Sequence, residues 1–324
     1  MLDTRCRGRV QLVTTRSPPY TRPGDPPTGS RTAGYLRDEG LTAPAGLPSL
    51  DSITARARTE NFRVASRLLP RDFRDPLMDV YRYARFVDEI GDNYDGDRLA
   101  ALDWVEFELR RATAGAAGAH PIMAAAGNLV RDGRVSVGLL LDLICANRQD
   151  QTVKQYESFE DLLGYCELSA NPVGRLVLEL FGVATDDRER WSDAICTGLQ
   201  LVEHWQDVGE DARAGRVYLP CEDLRTFGVE TSELLGTGPA SPSLRALMAL
   251  ECGRVRDFLD RGAPLIASLG GRLKLAVAGF WAGGLAAVDA LEAQRFDPLP
   301  RHVSPKVARV MWHIGRILVP GPRR

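Results

Sequence analysis

The chain's 324 residues are enough to bury a large core in one domain without help from disulfides. At 44% hydrophobic and 26% charged, with 41 basic against 43 acidic side chains and a formal charge of −2, it has an ordinary globular composition and none of the basic excess of a nucleic-acid binder. The six cysteines are scattered without a C-x-x-C pair, and the chain opens on no signal-like apolar stretch, so a reducing cytoplasm is expected.

Residues 1–50 hold seven prolines and six glycines and no apolar periodicity; they are predicted to form a disordered extension, leaving 51–324 as the folded domain. From Ser52 onward, long helix-forming stretches alternate with short Gly/Pro/Asp breaks and no alternating strand pattern occurs. The expectation is an all-α, single-domain helical bundle. Asp75-Pro76 reads as an N-cap followed by proline at the first helical position, opening a helix that runs to about Asp92. Further helices are predicted over 97–113, 121–131, 136–148, 158–181, 187–212, 241–268, 271–294 and 304–318, with 215–238 irregular. Asn171-Pro172 is expected to kink the fifth of these helices. The charge-free apolar run 275–288 is shorter than the roughly 20 residues of a membrane span and rich in glycine, and reads as a buried helix.

The informative feature is where the carboxylates fall. In the first helix the series Leu77, Tyr81, Ala84 continues by fours onto Asp88 and Asp92. In the helix over 187–212, Cys196 and Leu199 continue by fours onto Glu203, Asp207 and Asp211. Both acidic sets are therefore expected to face inward. Carboxylates one turn apart repel, and a low dielectric raises the cost of ionising them unless a cation compensates. Hard oxygens with no accompanying Cys/His cluster favour magnesium over zinc, and magnesium commonly binds through a few carboxylates while water and substrate phosphates complete its shell. Two such helices face to face would hold a diphosphate and neutralise it as a leaving group. A lone D-x-x-x-D is ordinarily a solvated face; two sets on separate helices, each extending an apolar stripe, weigh against that.

The segments 80–92 (VYRYARFVDEIGD) and 199–220 (LQLVEHWQDVGEDARAGRVYLP) resemble the two signature segments of the squalene/phytoene synthase family. Two further pieces, 60–70 (ENFRVASRLLP) and 165–174 (YCELSANPVG), resemble the subgroup of the bacterial hopanoid pathway that converts presqualene diphosphate to hydroxysqualene. The similarity covers about residues 55–318, with the four pieces in the expected order.

The resemblance implies an isoprenoid-synthase helical fold with a central cavity, a hydrophobic tunnel for farnesyl-derived chains, and Mg²⁺ as cofactor, three ions together with diphosphate. Asp88 and Asp92 would carry the first metal-binding motif, and Asp207 and Asp211 the second. Arg85 matches a diphosphate-contacting arginine, its fork suited to bidentate contact; it could equally pair with Glu89. Arg216 and Tyr218 match a motif flanking the cavity, or anchor their own loop. Tyr165 falls at a position near the reacting carbons, where a ring face stabilises a cation; a purely core role is the alternative. Asn61, Phe62, Asn171 and Gln206 are carried over as substrate contacts. Two departures stand out. Glu203 replaces the usual Asn and can still ligate metal, whereas Gln206 replaces an arginine found in many members. One fewer phosphate-binding arginine suits an enzyme that handles a single diphosphate.

The expected reaction is Mg²⁺-assisted loss of diphosphate from presqualene diphosphate, rearrangement of the cation and capture by water to give hydroxysqualene. No dinucleotide fingerprint occurs, so no NADPH is expected and reduction to squalene would fall to a sequential pathway enzyme. The rivals are a synthase that condenses two prenyl diphosphates to presqualene diphosphate, squalene or a phytoene-type product, an inactive synthase-like assembly or lipid-binding factor, and a purely structural helical scaffold. His120, His204, His302 and His313 show no metal-ligand spacing and are expected to be structural or surface groups. Residues 305–324 carry an amphipathic pattern with five basic and no acidic residues, read as a last helix with a basic tip or a peripheral hold on anionic membrane.

Overall fold

Polar residues ahead of apolar runs set several helix starts. In the computed structural model, which describes residues 42–56, 71–116, 119–299 and 304–318, Asp97 accepts a 3.0 Å bond from the Ala100 N–H. Ser158 and Asp161 cap each other reciprocally, and Thr185 and Ser241 accept from the third residue beyond. The elements are α1 (Leu50–Arg56), α2 (Arg71–Asn93), α3 (Arg98–Thr113), α4 (Pro121–Arg131), α5 (Val137–Thr152), α6 (Phe159–Ser169) and α7 (Asn171–Leu180). They continue with α8 (Asp186–Gln206), α9 (Val208–Arg213), α10 (Cys221–Phe227), a 3-10 turn (Thr231–Leu235), α11 (Pro242–Gly262), α12 (Pro264–Ser268), α13 (Gly271–Ala293) and α14 (Val307–Leu318). The protein is all-α: among the described residues the sole extended pairing is an isolated bridge between Gln155 and Val217.

Two apolar clusters build the interior. The first gathers Tyr83, Phe86 and Ile90 of α2 with Leu102 and Leu109 of α3, Met123 of α4 and Leu140 of α5. The second gathers Trp205 of α8, Leu259 of α11 and Trp281 of α13. Each such side chain stabilises the fold by about 1.5–3 kcal/mol when removed from water. α5 sits at their meeting line, giving Leu143 and Ile144 to the first cluster and Ala146 to the second. α13 is long and apolar enough to cross a membrane by length and composition, yet 56% of its apolar window is buried inside the structure. A Cβ on its Gly284 would lie 2.9 Å from Leu199 Cδ2, so the glycine lets α13 approach α8 closely.

Several predicted boundaries need correction. α2 is already helical at Arg71, so Pro76 lies inside it and Asp75 is no cap; the proline withholds the bond that the Asp72 carbonyl would receive. The predicted helix over 158–181 divides at Ala170, next to Asn171-Pro172 as expected. The one over 187–212 breaks at Asp207, whose φ of −107° and ψ of 12° fall outside the helical well. The segment 215–238 is not wholly irregular: α10 starts after Pro220 and ends on Gly228 at φ +66°, a left-handed stop that suits glycine. Residues 1–41 of the predicted extension lie outside the described residues. Within the rest of it, the Ala45 carbonyl accepts a 2.9 Å bond from the Tyr94 hydroxyl.

Candidate active site

The buried seam of α2 runs through Leu77, Val80, Tyr83, Phe86, Val87 and Ile90, so Tyr81, Ala84, Asp88 and Asp92 occupy the adjoining face. Asp88 is half-buried and Asp92 exposed. α8 shows the same offset, with Ile195, Gly198, Leu201, Val202 and Trp205 buried while Cys196, Leu199 and Asp207 are half-buried and Glu203 is exposed. The acids therefore flank the apolar seams rather than extend them. Both flanks open onto one cleft of about 290 Å³, lined by Asp88, Asp92, Glu203, Asp207 and Asp211 together with Arg85, Tyr165, Arg216 and Tyr218. The sequence-derived acids, nominally on distant parts of the chain, thus meet across a shared hollow.

Side chains from α5 complete the wall, and the sequence reading missed them. Asn147 Nδ2 donates to Asp88 Oδ1 at 3.2 Å. The approach requires Gly91, where a Cβ would stand 2.0 Å from Asn147 Oδ1. Three residues along, Asp150 accepts a 2.6 Å bond from the Tyr165 hydroxyl and a 3.4 Å bond from that of Tyr218. The Tyr218 ring stacks on His204 with centroids 3.6 Å apart. Gln200 Nε2 is 3.1 Å from His204 Nε2, and Nδ1 of that imidazole lies 3.9 Å from Asp211. A sequence signal existed: Asn147 and Asp150 are an i, i+3 polar pair on the buried side of an apolar helix.

Arg216, in the loop after α9, reaches back to α2 and donates to Asp92 Oδ1 at 2.8 Å. Arg85 lies 3.6 Å from Glu89, the alternative pairing anticipated for it, while also lining the cleft. Asn171 is buried and accepts a 3.0 Å bond from the Thr197 hydroxyl, an inter-helix tie away from the cleft lining. Gln206 is half-buried and outside that lining. Asn61 and Phe62, with the rest of 57–70, lie outside the described residues.

Among the described residues six carboxylates, counting Asp150, face two arginines in the lining, an excess of negative charge. Desolvation, aided by the neighbouring Asp92 charge, pushes Asp88 up to about 6 against the pull of Asn147 and Arg85. Burial raises Asp150 as well. Burial and the Asp150 charge lift the phenols of Tyr165 and Tyr218 far above their ordinary range, which keeps both neutral. Burial works against the charge on Arg216, but Asp92, joined by Tyr218 and Asp150, more than offsets it and holds the guanidinium charged. Among the described residues no group of three His, Cys, Asp or Glu stands close enough to cage a metal alone. The donor set nevertheless fits a hard cation: cleft oxygens with no thiolate, whose mutual repulsion a divalent ion relieves, and whose missing ligands water and phosphate supply.

The squalene/phytoene synthase profile matches residues 55–312. The chain belongs to the squalene/phytoene synthase family. The synthase is 35% identical to the hydroxysqualene synthase of Rhodopseudomonas palustris over 65% of this chain and 72% of the relative. It is 29% identical to the phytoene synthase of Mycobacterium tuberculosis over 76% of this chain and 83% of that one. The crystal structure of squalene synthase HpnC from Alicyclobacillus acidocaldarius superposes with a TM-score of 0.72 at 39% identity, covering 77% of this chain and 95% of that one. A dehydrosqualene synthase at 22% identity, also with a TM-score of 0.72, shares the fold. The synthase is thus an isoprenoid-pathway enzyme that processes prenyl diphosphates. Among the described residues Leu143 is the one aliphatic side chain in the cleft lining, and the expected apolar tunnel is not part of it.

Proposed function

We propose that the synthase converts presqualene diphosphate to hydroxysqualene, with Mg²⁺ as its metal. The observation that carries the reading is the convergence of Asp88 and Asp92 with Asp207 and Asp211 on one cleft that also presents Arg85 and Arg216. The relatives named hydroxysqualene synthase support the product.

Asp88 and Asp92 would hold metal on one wall, Asp207 and Asp211 on the other, and Glu203 at the rim. When bound, magnesium neutralises charge on the departing diphosphate. Arg85 and Arg216 orient the diphosphate. The carbon–oxygen bond of the ester breaks, both electrons leave with diphosphate, and the cyclopropylcarbinyl cation rearranges to join the two farnesyl halves. Water then adds its oxygen to the cation and gives up one proton. Tyr165, a cleft residue whose hydroxyl Asp150 holds, would present its ring to the cation. With Gln206 in place of an arginine, and with Arg85 and Arg216 as the cleft guanidiniums among the described residues, the charge suits one diphosphate better than two.

The catalytic domain we assign to 51–324, with 1–50 as an extension. The enzyme works in the cytoplasm, at the inner face of the membrane, between a supplier of presqualene diphosphate and a separate reductase. Incubating the pure protein and Mg²⁺ with presqualene diphosphate or with farnesyl diphosphate, each with and without NADPH, tests the reading. Hydroxysqualene from presqualene diphosphate, independent of NADPH, is the expected product. A product formed only from farnesyl diphosphate would move the enzyme to the condensing synthases, and no diphosphate release from either would make it an inactive synthase-like factor.

A further inference from the structure

α14 has one face committed to the core. Val310, Ile314, Ile317 and Leu318 pack inward, and the buried His313 stands 2.9 Å from Asp289 on α13. On the other side Val307, Met311 and Trp312 remain 77%, 60% and 51% exposed. Single exposed apolar side chains are commonplace, but three within two turns form a surface. The guanidiniums of Arg309 and Arg316 lie over the Trp312 ring, 5.5 and 5.2 Å from its centroid, so two cations accompany the exposed indole. Lys306 precedes the helix, and residues 305–324 contain five basic side chains and no acidic one.

We propose that this face docks the enzyme on the surface of an anionic phospholipid bilayer. Trp312, Met311 and Val307 would enter the headgroup–acyl boundary while Lys306, Arg309 and Arg316 meet lipid phosphates. The 12-residue helix, about 18 Å long at 1.5 Å per residue, is too short to span and lies along the interface. A second copy is the poorer occupant, because two-fold pairing would bring basic faces together with no acid on the helix to compensate. The purpose of the contact rests on the reading of the substrate as a prenyl diphosphate, since such chains reside in lipid; its geometry does not.

The test is co-sedimentation of the full chain with phosphatidylcholine vesicles, with and without phosphatidylglycerol. Binding is expected only with the anionic lipid and should weaken with salt. Lys306→Gln and Arg316→Gln should each lower the partition coefficient about fivefold, the effect of one basic residue near such a surface. Arg309 is left intact because it also bonds Asp289 at 3.3 Å. Trp312→Ala should lower binding while helical content and diphosphate release from detergent-dispersed substrate stay at the wild-type level. Equal binding to neutral vesicles, or variants that bind as the parent does, would overturn the proposal. So would a Trp312→Ala protein that changes from dimer to monomer with vesicle binding unaltered, which would make the face a self-interface. Loss of diphosphate release in every variant and the parent would strike the substrate reading and leave the vesicle result standing.

Discussion

Arg216 and Asp92 form a 2.8 Å ion pair that joins the loop after α9 to the end of α2. In the metal-free protein this arginine is the counter-ion of the first acidic pair, and in the proposed complex it turns to the diphosphate. Arg216→Gln removes positive charge from an acidic cleft, so Mg²⁺ should bind about three- to tenfold more tightly, the scale of one screened charge pair. Turnover should fall about a hundredfold, as for loss of one donor to a charged leaving group. Calorimetry with Mg²⁺ alone and a diphosphate-release assay read the two separately; weakening of both would reduce Arg216 to a loop anchor.

The raised Asp88 sets a pH dependence. With its folded value at about 6 against an ordinary 3.8, the folded protein holds a proton that the unfolded chain has lost between those values. Stability of the metal-free protein contributed by this group is full below pH 4 and declines as pH rises through 6. Mg²⁺ needs the carboxylate ionised, so its affinity should weaken as pH falls through about 6. Asp88→Asn should abolish turnover and erase that acid limb in metal titrations; Asp207→Asn should also abolish turnover but keep the limb. Thermal melts and metal titrations over pH 4 to 8 check both.

Asp150 lies outside the signature segments, yet it accepts from both cleft tyrosines. Asp150→Asn preserves volume but loses the charged acceptor, and Tyr165 should lose its fixed orientation. We expect kcat to fall about ten- to a hundredfold with KM for the diphosphate substrate nearly unchanged, the cost of a small misplacement. The double variant Asp150→Asn, Tyr165→Phe should be little worse than Tyr165→Phe alone, because the aspartate acts through the hydroxyl. Additive losses would assign Asp150 a direct part.

Helix existence was legible because apolar spacing and punctuation are local properties, and so was the pairing of two acidic sets. Their burial was misread by one helix flank. Counting on from Tyr81 and Cys196 follows residues that are themselves half-buried, whereas the seams run through Val80 and Ile195. The break at Asp207 falls two residues before Gly209, a glycine the apolar spacing let pass as helix interior. Asp150 and Asn147 gain their meaning from Tyr165 and Asp88, contacts made only when α5 is laid against α2 and α6, which no single-helix pattern encodes.

Gly91 follows from the same contact. α2 carries glycine between the two cleft aspartates, Asp88 and Asp92, where a helix would ordinarily favour alanine by about 1 kcal/mol. The structure supplies the reason: an added methyl would collide with the Asn147 carboxamide, the group that bonds Asp88. Gly91→Ala therefore gains helix propensity and loses a polar contact at the cleft. Asn147 must swing away, leaving Asp88 without its neutral donor and its acidity further reduced. The expected result is a helix content equal to the parent's, a metal-affinity limb displaced to higher pH, and turnover lowered at least tenfold. Circular dichroism and Mg²⁺ titration separate this from general unfolding, and Gly91→Ala combined with Asn147→Gly, which vacates the space, should recover part of the turnover if collision is the cause.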